Sequence, residues 1–162
     1  MKKFVTLLLT AALAVTAATT AFADDTATQI GPSTTPPSKA IDVTYTVNPS
    51  YTVTIPANIT LNTTAPSTAT VTAENVTIPC NQKLKVTLNS NNNFYVITNE
   101  GAKGTYTVKK DNSTTPISNG ATVLEANYGT KSTVLTFEFQ KKNVTYSGEY
   151  KDTVTFNVSV GN

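Results

Sequence analysis

The stretch from Asp152 to Val160 alternates without a break. Val154, Phe156, Val158 and Val160 point to one side, Thr153, Thr155, Asn157 and Ser159 to the other. A repeat of two, with β-branched residues on both sides, describes a strand with one dry and one wet face. The same repeat recurs along the chain. Ile41, Val43, Tyr45 and Val47 alternate with Asp42, Thr44 and Thr46 and predict a first strand. Asn48-Pro49-Ser50 signals a turn, and Tyr51, Val53 and Ile55 predict a second strand that ends at Pro56.

Further strands are expected near 68–78, 83–88, 94–98, 105–109 and 133–140, with a short edge strand over 121–124. In the first of these the alternation of Ala69, Val71 and Ala73 slips before Val76 and Ile78, which predicts a bulge or bend. Polar clusters such as Asn89–Asn93 and Glu100–Gly104 supply turns. Thr dominates the chain, and it suits the wet side of a strand because its hydroxyl stays hydrated. Eight to ten short strands and no helix predict an all-β protein, an immunoglobulin-like antiparallel β-sandwich, with a closed barrel as the alternative. Each strand offers three or four inward apolar side chains. At about 1.5–3 kcal/mol per buried large side chain, this supports a domain without a disulfide.

The N-terminus predicts an address. Lys2 and Lys3 precede an apolar run from Phe4 to Val15, and Ala21-Phe22-Ala23 is a small-x-small cleavage site. Residues 1–23 are therefore expected to be a signal peptide and the chain to be secreted, starting at Asp24. Cys80 lies far from that site, so a lipoprotein anchor is not expected. Residues 24–40 carry Gly31-Pro32 and Pro36-Pro37 among Ser and Thr, with Ile30 as the one large aliphatic, and predict a flexible segment. The sandwich is expected over 41–162. No sorting signal, transmembrane anchor or basic tail is expected.

Charge and composition exclude several functions. The chain holds 12 basic residues, all Lys, and 10 acidic ones, and removal of Lys2 and Lys3 balances them. Nucleic-acid binding needs a basic face, which this pattern does not supply. With no His and one Cys, the Ser-His-Asp and Cys-His systems, His-ligated zinc and thiolate clusters are ruled out. No phosphate loop or dinucleotide fingerprint occurs. Asp42, Glu74, Glu100, Asp111, Glu125, Glu138, Glu149 and Asp152 are dispersed, and are expected to be solvated charges. An isopeptide cross-link would draw on Lys83, Lys85, Asn157 and Glu138, yet each falls on a polar strand face. No cofactor, no metal and no catalysis are expected. Cys80 follows Val76-Thr77-Ile78-Pro79 and is expected to be a buried small residue, an intermolecular disulfide being the alternative.

The segment Gly148-Glu-Tyr150-Lys-Asp152-Thr-Val-Thr-Phe156 resembles the closing strand of secreted bacterial immunoglobulin-like sandwiches, namely spore coat protein U-like and Csu-type pilin domains. Together with Tyr51-Thr-Val-Thr-Ile-Pro56 it is also similar to Gram-positive surface proteins, among them the WxL cell-wall domains. The resemblance implies a surface structural or adhesive component with a cell-wall or surface protein or glycan as partner. The chain departs from these families in having no Trp, and residues 24–39 lack the large alternating apolar residues of a pilin's donor segment. Tyr150 is the candidate for a tyrosine corner. Two other functions remain open: a carbohydrate-binding module using Tyr95, Tyr128 and Tyr146 as exposed aromatics, and a polymerising pilin-like subunit.

Overall fold

A computed structural model describes Gly31, Ser38 and residues 40–141 and 144–162. The signal peptide assigned to 1–23, and most of the flexible segment assigned to 24–40, lie outside the described residues. The described residues up to Val47 belong to one unit and Asn48–Asn162 to another.

The second unit is built from eight strands: β1 (Ser50–Thr54), β2 (Ser67–Thr77), β3 (Lys83–Ser90), β4 (Tyr95–Ile97), β5 (Lys103–Lys110), β6 (Ala121–Ala126), β7 (Tyr128–Gln140) and β8 (Val154–Gly161). Among the described residues there is no α-helix. The strands form a five-stranded sheet in the order β1-β2-β7-β5-β4 and a three-stranded sheet in the order β6-β3-β8. Every pairing is antiparallel. The all-β sandwich expected from the alternation is the fold adopted.

The two inner faces supply the core. Leu84, Val86 and Leu88 of β3 meet Val71, Val108, Leu135 and Phe137 of the larger sheet, all of them buried. Tyr106 is buried with them, edge-on to Phe94 with centroids 5.6 Å apart and stacked on Phe137 at 6.2 Å. The slip expected between Ala73 and Val76 is a bulge: the β2–β7 register shifts there, and Asn75 takes φ 52°. Asn tolerates that left-handed conformation better than most residues.

One row of pairs fixes which ends of the sheets coincide. Ser50 pairs with Thr77, and Thr77 with Tyr128. A single residue, Asn127, joins Tyr128 to Ala126, which pairs with Leu84, itself paired with Val160. Ser50 therefore lies at the Gly161 end of the sandwich.

Two expectations are corrected. The strand over 41–47 does not form: among the described residues these have no sheet partner, and Val43 and Tyr45 are 91% and 92% exposed. Alternation makes a segment fit for a strand but does not supply a neighbour. A two-residue hairpin onto β1 would favour a type I′ turn with positive φ at both central residues, which Pro49 prohibits. Cys80 is not buried: it is an exposed free thiol in the turn between β2 and β3.

Candidate interaction groove beside the last strand

The four outer strands differ in how their free edges are guarded. β1 and β6 each carry a register irregularity. β4 is only three residues long, and Ile97 bridges to Lys151. Bulges, short length and covering residues are the usual means of blocking an edge. β8 has none of them. It runs in unbroken register with β3 from Val154 to Gly161, and no residue from Thr153 to Asn162 is charged or Pro. Its inward face is also unfinished. Val158 and Val160 are 39% and 37% exposed, while their neighbours Val86 and Leu84 on β3 are fully buried. The alternation of β8 thus builds a core face that, among the described residues, nothing covers on its outer side.

At the Val154 end this edge opens into a groove of about 810 Å³ between β8 and the segment 56–63. Val96, Tyr106 and Phe137 form its floor, and half-buried Ile59, Leu61, Phe139, Tyr150 and Phe156 form its walls. The Glu149–Lys151 pair, 3.0 Å apart and well exposed, sits on the rim. The apolar side chains share the lining with Thr60, Thr63, Asp152 and Thr153.

The base of the groove is held by Asp152, a residue expected to be solvated. Its carboxylate is half-buried and accepts from Tyr106 Oη at 2.5 Å, Ser90 Oγ at 2.6 Å, Thr153 N at 2.8 Å and Asn92 N at 3.1 Å. Ser90 Oγ in turn accepts from Phe94 N at 2.6 Å. Asn93 and Phe94 have φ of 52° and 64°, an uncommon conformation for non-Gly residues and a strained one for a bulky aromatic. The carboxylate therefore pins the strained β3–β4 turn to the entry of β8. Burial, reinforced by the hydrogen bond to Asp152 and its charge, raises the Tyr106 phenol far above its ordinary value of 10.0.

Tyr150 lies beside this network. Gly148 takes φ 144°, which L side chains rarely adopt, and turns the chain so that the Tyr150 ring packs against the core. The Tyr150 hydroxyl donates to the Tyr146 carbonyl at 2.9 Å, the geometry of a tyrosine corner. Tyr150→Phe is expected to lower unfolding free energy by about 1 kcal/mol in urea titrations.

The other aromatic candidates are not gathered on one surface. Tyr95, Tyr128 and Tyr146 are all exposed. Tyr95 pairs with Thr105, which is opposite Gln140 at one end of β7, while Tyr128 begins β7 at the other. At about 3.4 Å per residue, that separates Tyr95 from Tyr128 by roughly 40 Å. The isopeptide residues are apart too: Glu138 on β7 holds Lys109 at 2.8 Å, whereas Lys83, Lys85 and Asn157 belong to the smaller sheet. Lys83 is paired with Glu125 at 3.0 Å, and that hydrogen bond lowers the Glu125 pKa. Among the described residues no cluster of three His, Cys, Asp or Glu is placed to hold a metal, and no helix is long and apolar enough to cross a membrane.

Comparison of the chain with protein-family models, with curated proteins and with solved structures found no match in any of the three.

Proposed function

We propose that this chain is an exported, non-catalytic β-sandwich of the immunoglobulin-like kind, working at the cell surface or in the extracellular space as a structural or adhesive component. The observation that carries the reading is the unguarded β8 edge. An eight-residue strand with free backbone groups and half-exposed Val158 and Val160 is a template for strand addition, the means by which sheet proteins join neighbours. The leader-like residues 1–23 support export, and the groove supports apolar contact with a protein partner. A glycan-binding reading would need a shared aromatic platform, which Tyr95 and Tyr128 do not make.

Cell fractionation tests the proposal. The mature chain, with Asp24 at its N-terminus, is expected in the surface or medium fraction. Val158→Lys with Val160→Lys, with circular dichroism used to select protein that keeps the fold, should leave export intact and shift the protein from the surface fraction to the medium. Retention of the chain inside the cell, or unchanged surface retention of the double variant, would overturn it.

A further inference from the structure

We infer that the occupant of the β8 edge is the segment 41–47 of a second copy of this chain, added as an antiparallel strand. The inference rests on the reading of β8 as an assembly edge and names the partner.

Two unfinished features in one molecule complement each other. Among the described residues β8 has no neighbour on its outer side, and Ile41-Asp-Val-Thr-Tyr-Thr-Val47 is a seven-residue amphipathic strand sequence with no sheet partner. Its large apolar residues are exposed, Tyr45 at 92%. Residues directly opposite one another in an antiparallel pair lie on the same face of the sheet. One register therefore places every apolar residue of the segment opposite an apolar residue of β8: Ile41 with Val160, Val43 with Val158, Tyr45 with Phe156 and Val47 with Val154. Asp42, Thr44 and Thr46 then fall on the wet face with Ser159, Asn157 and Thr155. Tyr45 comes to lie beside Phe156, a wall of the groove.

Chain geometry decides between a second copy and the same chain. In this register Val47 lies at the Val154 end of β8. Ser50 lies at the Gly161 end, as the strand pairings require. Six strand residues separate those ends by about 20 Å, while the three steps from Val47 to Ser50 span at most about 11 Å. The segment therefore cannot reach antiparallel register on its own β8. The smaller sheet is antiparallel throughout, and antiparallel pairing is the more stable mode per residue. A heterologous contact of this kind links copies in succession unless two copies exchange segments and close.

Single-cysteine variants on a Cys80→Ser background test the assignment. One copy carries Val43→Cys, the other Val158→Cys, and circular dichroism verifies that both fold. Directly opposed residues lie within disulfide range, so mixing the two under mild oxidant should give a disulfide-linked heterodimer. Val43→Asp with Tyr45→Asp, outside the folded unit, should leave the melting curve unchanged and weaken self-association in sedimentation experiments by about tenfold or more. Absence of the heterodimer overturns the inference. So does an intrachain disulfide in a single chain carrying Tyr45→Cys and Val158→Cys, the parallel arrangement within one copy. Self-association at full strength after deletion of residues 41–47 also overturns it, yet leaves surface retention through β8 standing. Loss of that retention is read separately, in the fractionation of the β8 variants.

Discussion

Replacing Asp152 with Ala should cost the sandwich about 3–5 kcal/mol, a large part of the roughly 5–15 kcal/mol that holds a domain of this size together. The substitution deprives four donors of their acceptor at once: Tyr106 Oη, Ser90 Oγ, Asn92 N and Thr153 N. Thr153 N is exposed and water can replace its acceptor, whereas each of the three part-buried donors left without a partner costs about 1–3 kcal/mol. The total stays below the sum because water entering the groove can satisfy some of them. The strained backbone at Phe94 loses its tether through Ser90, so the β3–β4 turn should loosen as well. Asp152→Asn keeps the shape but turns an amide NH₂ toward groups that need an acceptor, and should recover only part of the loss. Urea denaturation measures both. A midpoint shift for the Ala variant worth less than about 1 kcal/mol would show that the network is ornamental.

The same network predicts an alkaline limit to stability. Tyr106 keeps its proton in the fold, where burial first and Asp152 second disfavour the phenolate. In the unfolded chain it loses that proton near the ordinary phenol value of 10.0. Because the folded pKa is the higher one, the native state is not penalised below pH 10. Above it the unfolded state binds fewer protons, and stability falls by about 1.4 kcal/mol per pH unit until the folded value is reached. Two units above 10 that amounts to nearly 3 kcal/mol. Tyr106→Phe removes the titrating group and should flatten this part of the profile, at the cost of one donor to Asp152. Parallel slopes for wild type and variant between pH 10 and 12 would reject the assignment.

Much of the fold was legible because strands announce themselves locally. Leu84, Val86 and Leu88 alternate with Lys and Thr, and all three are buried. The slip before Val76 was legible for the same reason: a bulge breaks the period where it occurs. What escaped notice depends on residues distant in sequence. Asp152 is a charged residue at a strand entry, and nothing beside it in the chain shows that Ser90 and Tyr106 converge on it from 62 and 46 residues away. The segment 41–47 has as clean a period as β3, yet its period says nothing about whether a neighbour exists. The residue type of Cys80 favours a buried position, whereas the turn that joins the two sheets leaves it in water. The exposed tyrosines could be picked out by their lack of a core role. Their scattering could not, because it follows from the 13-residue length of β7.

The position of β3 has a consequence for how the molecule is made. β3 is the middle strand of the smaller sheet, and it sits between β6 and β8, so one whole flank of its ladder is supplied from the Val154–Gly161 stretch. Until that stretch has been synthesised and brought back across more than 60 residues, Leu84, Val86 and Leu88 have no complete bed to pack into. Sandwiches dominated by such remote pairings fold in milliseconds to seconds rather than microseconds. A chain emerging in order from Met1 therefore stays open for most of its synthesis.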